Sequence, residues 1–219
     1  VLGSGEGVTN TDDFLIRLLK GSIQLSARPK IVNTVNATPV QHVARCVVAA
    51  ALNPLAGGVH VVHVTGHPRL RMNEFLSPLE YYGYKVPEVS YDEWKDKLEA
   101  FVSAGQEKDA EQHALMPLYH FCVNDLPANT RAPELDDANA VRVLKDDAEN
   151  WTGEDESSGY GILREDIGRY LSFLAEIEFV SWPTGRGRPL PDVKLSDEMR
   201  QAVGAMGGRG GTGPAVQKK

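Results

Sequence analysis

Thr38-Pro39-Val40-Gln41-His42-Val43-Ala44-Arg45-Cys46-Val47-Val48-Ala49-Ala50-Ala51-Leu52-Asn53-Pro54 is followed, a short loop later, by Val59-His60-Val61-Val62-His63-Val64. The first stretch has the grammar of a helix. Thr38 stands at the cap, Pro39 at the first helical position, and Val40, Val43, Ala44, Val47, Val48 and Ala51 recur at helical spacing until Asn53-Pro54 stops the pattern. That spacing predicts a buried face made of those six residues. The second stretch is a run of β-formers with no polar alternation beyond two histidines, the composition of a strand covered on both faces. A helix feeding such a strand is one step of a βα repeat, and the predicted class is α/β with few, mostly parallel strands and several helices.

The same alternation extends outward over residues 8–105. Asn10 or Thr11 is placed to cap a helix whose first turn holds Asp12 and Asp13, favourable at the positive end of the helix dipole. Phe14, Leu15, Leu18 and Leu19 form its apolar face, Arg17 and Lys20 lie toward its end, and Gly21 is the expected stop. Asn73 opens a further helix carrying Phe75, Leu76, Leu79 and Tyr82, with a kink expected at Pro78 and a stop at Gly83. Residues 85–89 read as a strand, and Ser90 with Glu93 as a capping box before a helix that buries Trp94, Leu98, Phe101 and Val102. Residues 106–182 read as helices and loops, the last helix presenting Leu163, Ile167, Tyr170, Leu171 and Leu174. The predicted folded unit is 1–182. Residues 183–219, rich in Gly, Pro and charge, are predicted to be a disordered tail.

Composition sets limits on function. The chain has 219 residues, 42% apolar and 24% charged, with a formal charge of −7. The acidic balance argues against general nucleic-acid binding, which needs a basic surface to displace counterions. Two cysteines, Cys46 and Cys122, are too few for a disulfide scaffold or a cysteine zinc site, and a reducing compartment such as the cytoplasm is expected. Residues 43–52, the longest nearly apolar stretch, are interrupted by Arg45 and too short to span a bilayer, so no membrane partner is expected. Val1 opens the chain inside a glycine-rich turn, which reads as a cut end.

Short motifs of catalytic type are present but out of context. The glycines of residues 3–7 and 207–213 lack the preceding strand and following helix of a dinucleotide fingerprint, and the Gly-Lys-Ser/Thr ending of a P-loop. His60, His63 and His67 are spaced like metal ligands, yet 60 and 63 fall on opposite faces of a strand and His67 lies past the Gly66 turn. No metal site is expected. Tyr81/Lys85 and Tyr91/Lys95 match the Tyr-x-x-x-Lys spacing with which short-chain reductases protonate a carbonyl oxygen. The first pair straddles Gly83. The second sits in the first turn of an acidic helix, and amphipathic packing is the stronger reading of both. Asp136, Asp137, Asp146, Asp147, Glu154, Asp155 and Glu156 form an acidic stretch read as caps and a solvated face.

A more specific signal lies in several long motifs taken in order. Thr9-Asn10-Thr11-Asp12-Asp13-Phe14-Leu15-Ile16-Arg17 is followed by Asn36-Ala37-Thr38-Pro39-Val40-Gln41-His42-Val43-Ala44-Arg45 and by His63-Val64-Thr65-Gly66-His67-Pro68-Arg69. Gly83-Tyr84-Lys85-Val86-Pro87-Glu88-Val89-Ser90-Tyr91-Asp92-Glu93-Trp94, His113-Ala114-Leu115-Met116-Pro117 and Ser157-Ser158-Gly159-Tyr160-Gly161 complete the set. Together these resemble the C-terminal end of the thioester-reductase domain of the fungal α-aminoadipate reductases, as far as about Pro183. That family is an extended short-chain dehydrogenase/reductase, with a Rossmann half and a smaller substrate half.

The resemblance implies the C-terminal substrate half, with the Rossmann half missing. It implies an NADPH-dependent oxidoreductase parent that reduces an α-aminoadipyl thioester, carried on the phosphopantetheine arm of a carrier domain, to aminoadipate semialdehyde for lysine biosynthesis. The cofactor loop and the catalytic Tyr/Lys pair are then expected upstream of Val1, and the isolated chain is expected to be inactive. The implied partners are the upstream Rossmann half, the carrier domain and the acyl thioester. Asn10, Asp12, Asp13 and Arg17 are implied to shape the mouth of the substrate site, while the residues themselves equally support capping and dipole compensation. Gln41 stands where Asp is expected, and Pro78 and Glu178 where Ala-like and Gly-like residues are expected. A competing expectation is a non-enzymatic interaction module with a reductase-like lobe; a weaker one is a small reductase using Tyr91 and Lys95. A half-fold should also leave an apolar face uncovered and promote self-association.

Overall fold

A computed structural model describes residues 2–57, 60–104, 113–126 and 133–196. Helix α1 (Phe14–Leu25) is capped by Asp13, whose side chain accepts from the Leu15 N–H, and closes at Ser26 in the left-handed region, φ 50°. Both predicted ends of this helix shift. The cap is Asp13 rather than Asn10 or Thr11, and Gly21 lies inside the helix, where a Cβ would meet His113 and Leu115 at 2.9 Å. Close approach explains that glycine. Among the described residues four two-residue strands follow: β1 (Arg28–Pro29), β2 (Thr34–Val35), β3 (Leu70–Arg71) and β4 (Glu88–Val89). β1 pairs in parallel with β4, and β2 antiparallel with β3. Of the strand predicted over 85–89, residues 88 and 89 enter a ladder.

The kink expected at Pro78 appears as two short helices, α3 (Met72–Leu76) and α4 (Pro78–Tyr81), with Ser77 between them. Helix α5 (Tyr91–Ala104) starts with the Glu93 N–H donating to Ser90 Oγ. Helix α6 (Ala138–Asp147) continues into a π-helical turn, Ala148–Thr152, and α7 (Arg164–Glu176) is the last helix among the described residues. The main core joins Ile16, Leu18 and Leu19 of α1 to Phe75, Trp94 and Leu98, and to Tyr170, Leu171, Phe173 and Leu174 of α7. The stripes predicted for α1, α5 and α7 are therefore largely the buried ones, although Leu163 is half exposed ahead of α7.

Helix α2 (Val40–Leu52) reverses its prediction. Its buried residues are His42, Cys46 and Ala49, whereas Val40, Ala44, Val47, Val48 and Ala51 face solvent. The buried face packs on α6 in a separate small core of Cys46, Ala49, Val143 and Leu144. Thr38 does not cap this helix; its hydroxyl donates to the Tyr160 carbonyl. Residues 60–64 form no ladder among the described residues, so the two-faced strand is also corrected. Val62 and Val64 lean on the small core, and the Val61 carbonyl accepts from Asn139 Nδ2. A run of β-formers becomes a strand only when a partner supplies the other half of its hydrogen bonds.

Residues 183–196 depart from the disorder expected of their composition. The Gly185 N–H donates to the Gly83 carbonyl at 2.8 Å, the Arg188 N–H to Tyr81 at 2.9 Å, and Leu190, Val193 and Leu195 pack on the main core. The glycines permit this contact, since a Cβ at 187 would lie 2.3 Å from the Gly83 nitrogen. Residues 197–219, the rest of the predicted tail, lie outside the described residues.

Candidate functional site

Helix α1 brings the four candidate residues to one end. Asn10 Oδ1 accepts from the Asp12 N–H at 2.9 Å, and Asp13 caps the helix at 2.8 Å. Arg17 pairs with Asp12 through Nη2 and donates through Nη1 to the Ala114 carbonyl at 3.0 Å. The set thus forms one hydrogen-bonded corner that fastens the start of α1 to residues 113–115. Capping and tethering occupy much of its polar capacity; the outer edges of Asn10 and Asp12 remain exposed.

One turn further along α1 a crevice of about 640 Å³ opens between the helix and the chain that follows α7. Lys20, Ile23 and Gln24 form one wall, and Glu178, Phe179 and Trp182 contribute to the other. Lys20 lies 4.6 Å above the Phe179 ring, a cation–π arrangement that holds the ammonium at the crevice wall. The turn that shapes this wall places Glu178 at φ 58°, with the Phe179 N–H closing onto the Leu174 carbonyl at 2.8 Å. That backbone is where glycine is favoured, which gives the sequence departure at 178 a structural meaning. The crevice was not legible in the sequence, because its walls are separated by more than 150 residues.

The other motifs resolve into structural roles. Tyr91 donates its hydroxyl to the Cys122 carbonyl at 2.6 Å and stacks on Trp94, while Lys95 pairs with Glu99. The phenol is turned into packing, against the reading of Tyr91 and Lys95 as a reductase pair. Tyr81 ends α4 before Lys85 and lies under the Arg164 guanidinium. His60 Nε2 meets the Ala56 carbonyl, His63 Nδ1 the Asp136 carbonyl, and His67 Nε2 the Asp137 carboxylate at 2.6 Å. Among the described residues no group of three His, Cys, Asp or Glu converges on a metal position. No described helix is long and apolar enough to cross a membrane.

Two polar clusters escaped the sequence reading. Thr65 donates to Asp137, which also receives His67, and these contacts hold the Asp137 carboxyl below its ordinary value, the Thr65 hydrogen bond contributing most. Cys46 Sγ lies 3.6 Å from His42 Nε2, and His42 Nδ1 lies 3.2 Å from Glu156. That order of thiol, imidazole and carboxylate has the form of a nucleophile relay. Burial, reinforced by the Glu156 charge, pushes the thiol up to about 11, so it stays protonated and inert at neutral pH. The i, i+4 spacing of His42 and Cys46 was the available signal. Asp147, expected on a solvated face, is buried against Arg45 at 2.9 Å.

The glycine-rich opening is packed against the protein at Gly3 and Gly7. A Cβ at Gly3 would lie 2.7 Å from the Tyr170 ring, and one at Gly7 would lie 2.9 Å from the Arg169 carbonyl. Those two glycines admit neighbouring chain, whereas a Cβ at Gly5 would meet nothing within 4 Å. At Gly3 and Gly7 the space that a pyrophosphate would need is taken by Tyr170 and Arg169.

No protein-family model matches the chain. Over 215 residues, 97% of its length, it is 56% identical to the L-2-aminoadipate reductase large subunit of Penicillium chrysogenum. Similarity to the L-2-aminoadipate reductases of Schizosaccharomyces pombe and Saccharomyces cerevisiae is 47% over 96% and 45% over 97% of the chain. Over nearly its whole length the chain is thus similar to one segment of the L-2-aminoadipate reductases. It spans 14–15% of the length of these three relatives. Its fold matches the terminal R domain from the myxalamid PKS-NRPS biosynthetic pathway with a TM-score of 0.66 and 23% identity, over 83% of this chain and 44% of that one. The fold is thus that of part of that R-domain chain, and the described residues form two two-stranded sheets rather than a Rossmann sheet. The motifs that carry the family likeness are packing elements: a Cβ at Gly66 would lie 2.3 Å from the Ala37 carbonyl, and one at Gly161 would lie 2.3 Å from that of Pro68.

Proposed function

We propose that this chain is the substrate-side segment of a reductase that uses NADPH to convert a carrier-bound α-aminoadipyl thioester to aminoadipate semialdehyde, a step of lysine biosynthesis in the cytoplasm. The observation that carries the reading is 56% identity across nearly the whole chain to an L-2-aminoadipate reductase large subunit. In this reading the hydride donor and proton donor belong to the upstream half of the parent, and the carrier's phosphopantetheine arm delivers the acyl group. The segment itself walls the site. Asn10, Asp12, Asp13 and Arg17 form the mouth, and the crevice lined by Ile23, Phe179 and Trp182 offers an apolar wall for the acyl chain.

The test compares the 219-residue chain with the full-length reductase on α-aminoadipyl pantetheine thioester, following NADPH oxidation. The full-length enzyme is expected to turn over and the segment to be inactive. Arg17→Ala and Trp182→Ala in the full-length enzyme are expected to raise KM more than they lower kcat. Micromolar NADPH binding by the isolated segment in calorimetry, or turnover by it, refutes the assignment.

A further inference from the structure

We propose that a basic ledge beside the acyl crevice, formed by Lys85, Arg164, Arg186 and Arg188, receives the phosphate that roots the carrier's pantetheine arm. The inference rests on the functional reading above, in that it takes the thioester to arrive on such an arm.

The first observation is a local reversal of charge. The chain carries a formal charge of −7, yet Lys85, Arg164, Arg186 and Arg188 are all exposed around one short stretch, Tyr81 to Lys85. Arg164 lies 4.7 Å over the Tyr81 ring, and the Arg188 N–H donates to the Tyr81 carbonyl at 2.9 Å. A Cβ at Gly185 would stand 3.6 Å from Lys85 Cγ. The carboxylates nearest in the chain are engaged elsewhere. Glu80 and Glu88 both pair with Arg28, at 2.8 and 2.6 Å, and Glu165 pairs with Arg169 at 3.4 Å. Among the described residues no carboxylate pairs with any of the four cations.

The second observation is that backbone, not side chains, fixes the turn Gly185-Arg186-Gly187-Arg188. The Gly185 N–H donates to the Gly83 carbonyl at 2.8 Å, and a Cβ at Gly187 would lie 2.3 Å from the Gly83 nitrogen, so the turn rests flat on that backbone. A fixed turn with free guanidinium groups is preorganised for a ligand, because only side-chain rotamers have to be ordered on binding. Arg164 opens α7, the end at which the helix dipole disfavours a cation, so its charge does not serve the helix.

The third observation is position, and the chemistry follows from it. Trp182 lines the crevice and Arg186 stands four residues on, so the ledge begins within about 14 Å of the crevice wall. The Tyr84 hydroxyl donates to the Ser181 carbonyl at 2.9 Å, tying that wall to the stretch that the cations surround. An extended pantetheine arm separates its sulfur from its phosphorus by a length of the same order. The arm is uncharged along its two amides, and its phosphate is the anion it brings. Three of the four cations are arginines, whose planar fork matches phosphate oxygens in pairs.

The experiment uses the full-length reductase with its own carrier left unmodified, so that no tethered arm competes. Turnover is measured on aminoadipyl pantetheine thioester with and without its 4′-phosphate. The phosphate is expected to lower KM at least about tenfold, and Arg186→Gln/Arg188→Gln to bring the ratio of the two KM values close to one. Lys85→Gln/Arg188→Gln repeats the measurement, and the unphosphorylated thioester serves in each variant as the reference for a folded site. A ratio that survives in both variants, or no phosphate advantage in the parent enzyme, overturns the proposal and leaves the functional reading intact. KM for NADPH is followed in the same variants; a rise there with the thioester ratio unchanged assigns the arginines to the cofactor's phosphate and also overturns the proposal. An enzyme that turns over neither thioester defeats the functional reading, and calorimetric titration of 4′-phosphopantetheine against pantetheine then decides the ledge. Binding that needs the phosphate and is lost in both variants upholds it; equal binding of the two compounds, or none, defeats it.

Discussion

Arg45→Met removes the cation that neutralises a buried carboxylate and so tests what holds α2 to α6. Arg45 Nη2 lies 2.9 Å from Asp147 Oδ2, with the two side chains 19% and 2% exposed. The same nitrogen donates to Thr152 Oγ1 at 2.6 Å and to the Glu154 carbonyl at 3.0 Å, joining α2 to the π-helical turn. In Arg45→Met the methionine fills most of the volume, but Asp147 keeps one long contact, to Thr152 Oγ1 at 3.3 Å. Stranding one member of a buried pair costs about 3–5 kcal/mol, and the partial exposure of Arg45 places this case near 3 kcal/mol. The small core beneath holds four buried residues, so a loss of that size should open the α2–α6 pair while the main core stays closed. Amide hydrogen exchange on Val40–Leu52 and Ala138–Asp147, compared with Arg164–Glu176, reads this directly. Adding Asp147→Asn should restore about half of the loss, because a neutral amide needs no counter-charge. A variant within about 0.5 kcal/mol of the parent, or a double variant with fully additive losses, refutes the reasoning.

Glu178→Gly should stabilise the chain by about 1 kcal/mol, because φ 58° strains any residue with a Cβ, and urea unfolding measures it; a destabilised variant would mean that the Glu178 side chain outweighs the strain. Asp137→Asn should destabilise at neutral pH. The folded carboxyl titrates below its ordinary 3.8, so its contribution is present in full above 3.8 and is lost as pH falls from there through the lower folded value, and the two unfolding curves should converge in acid. A constant difference down to the acid limit would count against the Thr65 and His67 contacts as its source. Cys46 and Cys122, raised to about 11 and about 12 by burial, should resist a disulfide reagent in the native protein at neutral pH and react once it is unfolded. Rapid native reaction of Cys46 would revive the thiol–imidazole pair as a reactive centre.

Much of the candidate site was out of reach of the sequence. Asn10, Asp12, Asp13 and Arg17 were legible as a polar helix start, and the structure gathers all four at one corner, yet it spends Asp13 on the cap and Arg17 on a loop carbonyl. The crevice needed α1 and the turn after α7 to meet, and no periodicity in either segment announces the other. Glu178 was the one hint, a residue standing where glycine was expected.

What the sequence determined by itself was local and familial. Helical periodicity located α1, α2, α5 and α7, and the ordered motifs pointed to the L-2-aminoadipate reductases to which the chain is similar, because both are properties of residues near one another in the chain. Tertiary structure alone decided which surfaces meet. The valines of α2 marked an apolar face without saying what covers it, and the face that packs in this chain is the one bearing His42, Cys46 and Ala49. Residues 60–64 carried strand-forming side chains, but a ladder requires a second backbone. Residues 183–196 looked too polar and glycine-rich to order, but those glycines let the chain lie against Gly83 at backbone distance. Composition fixes what a segment can bury or bond; whether it does so depends on the partner that the rest of the fold brings to it.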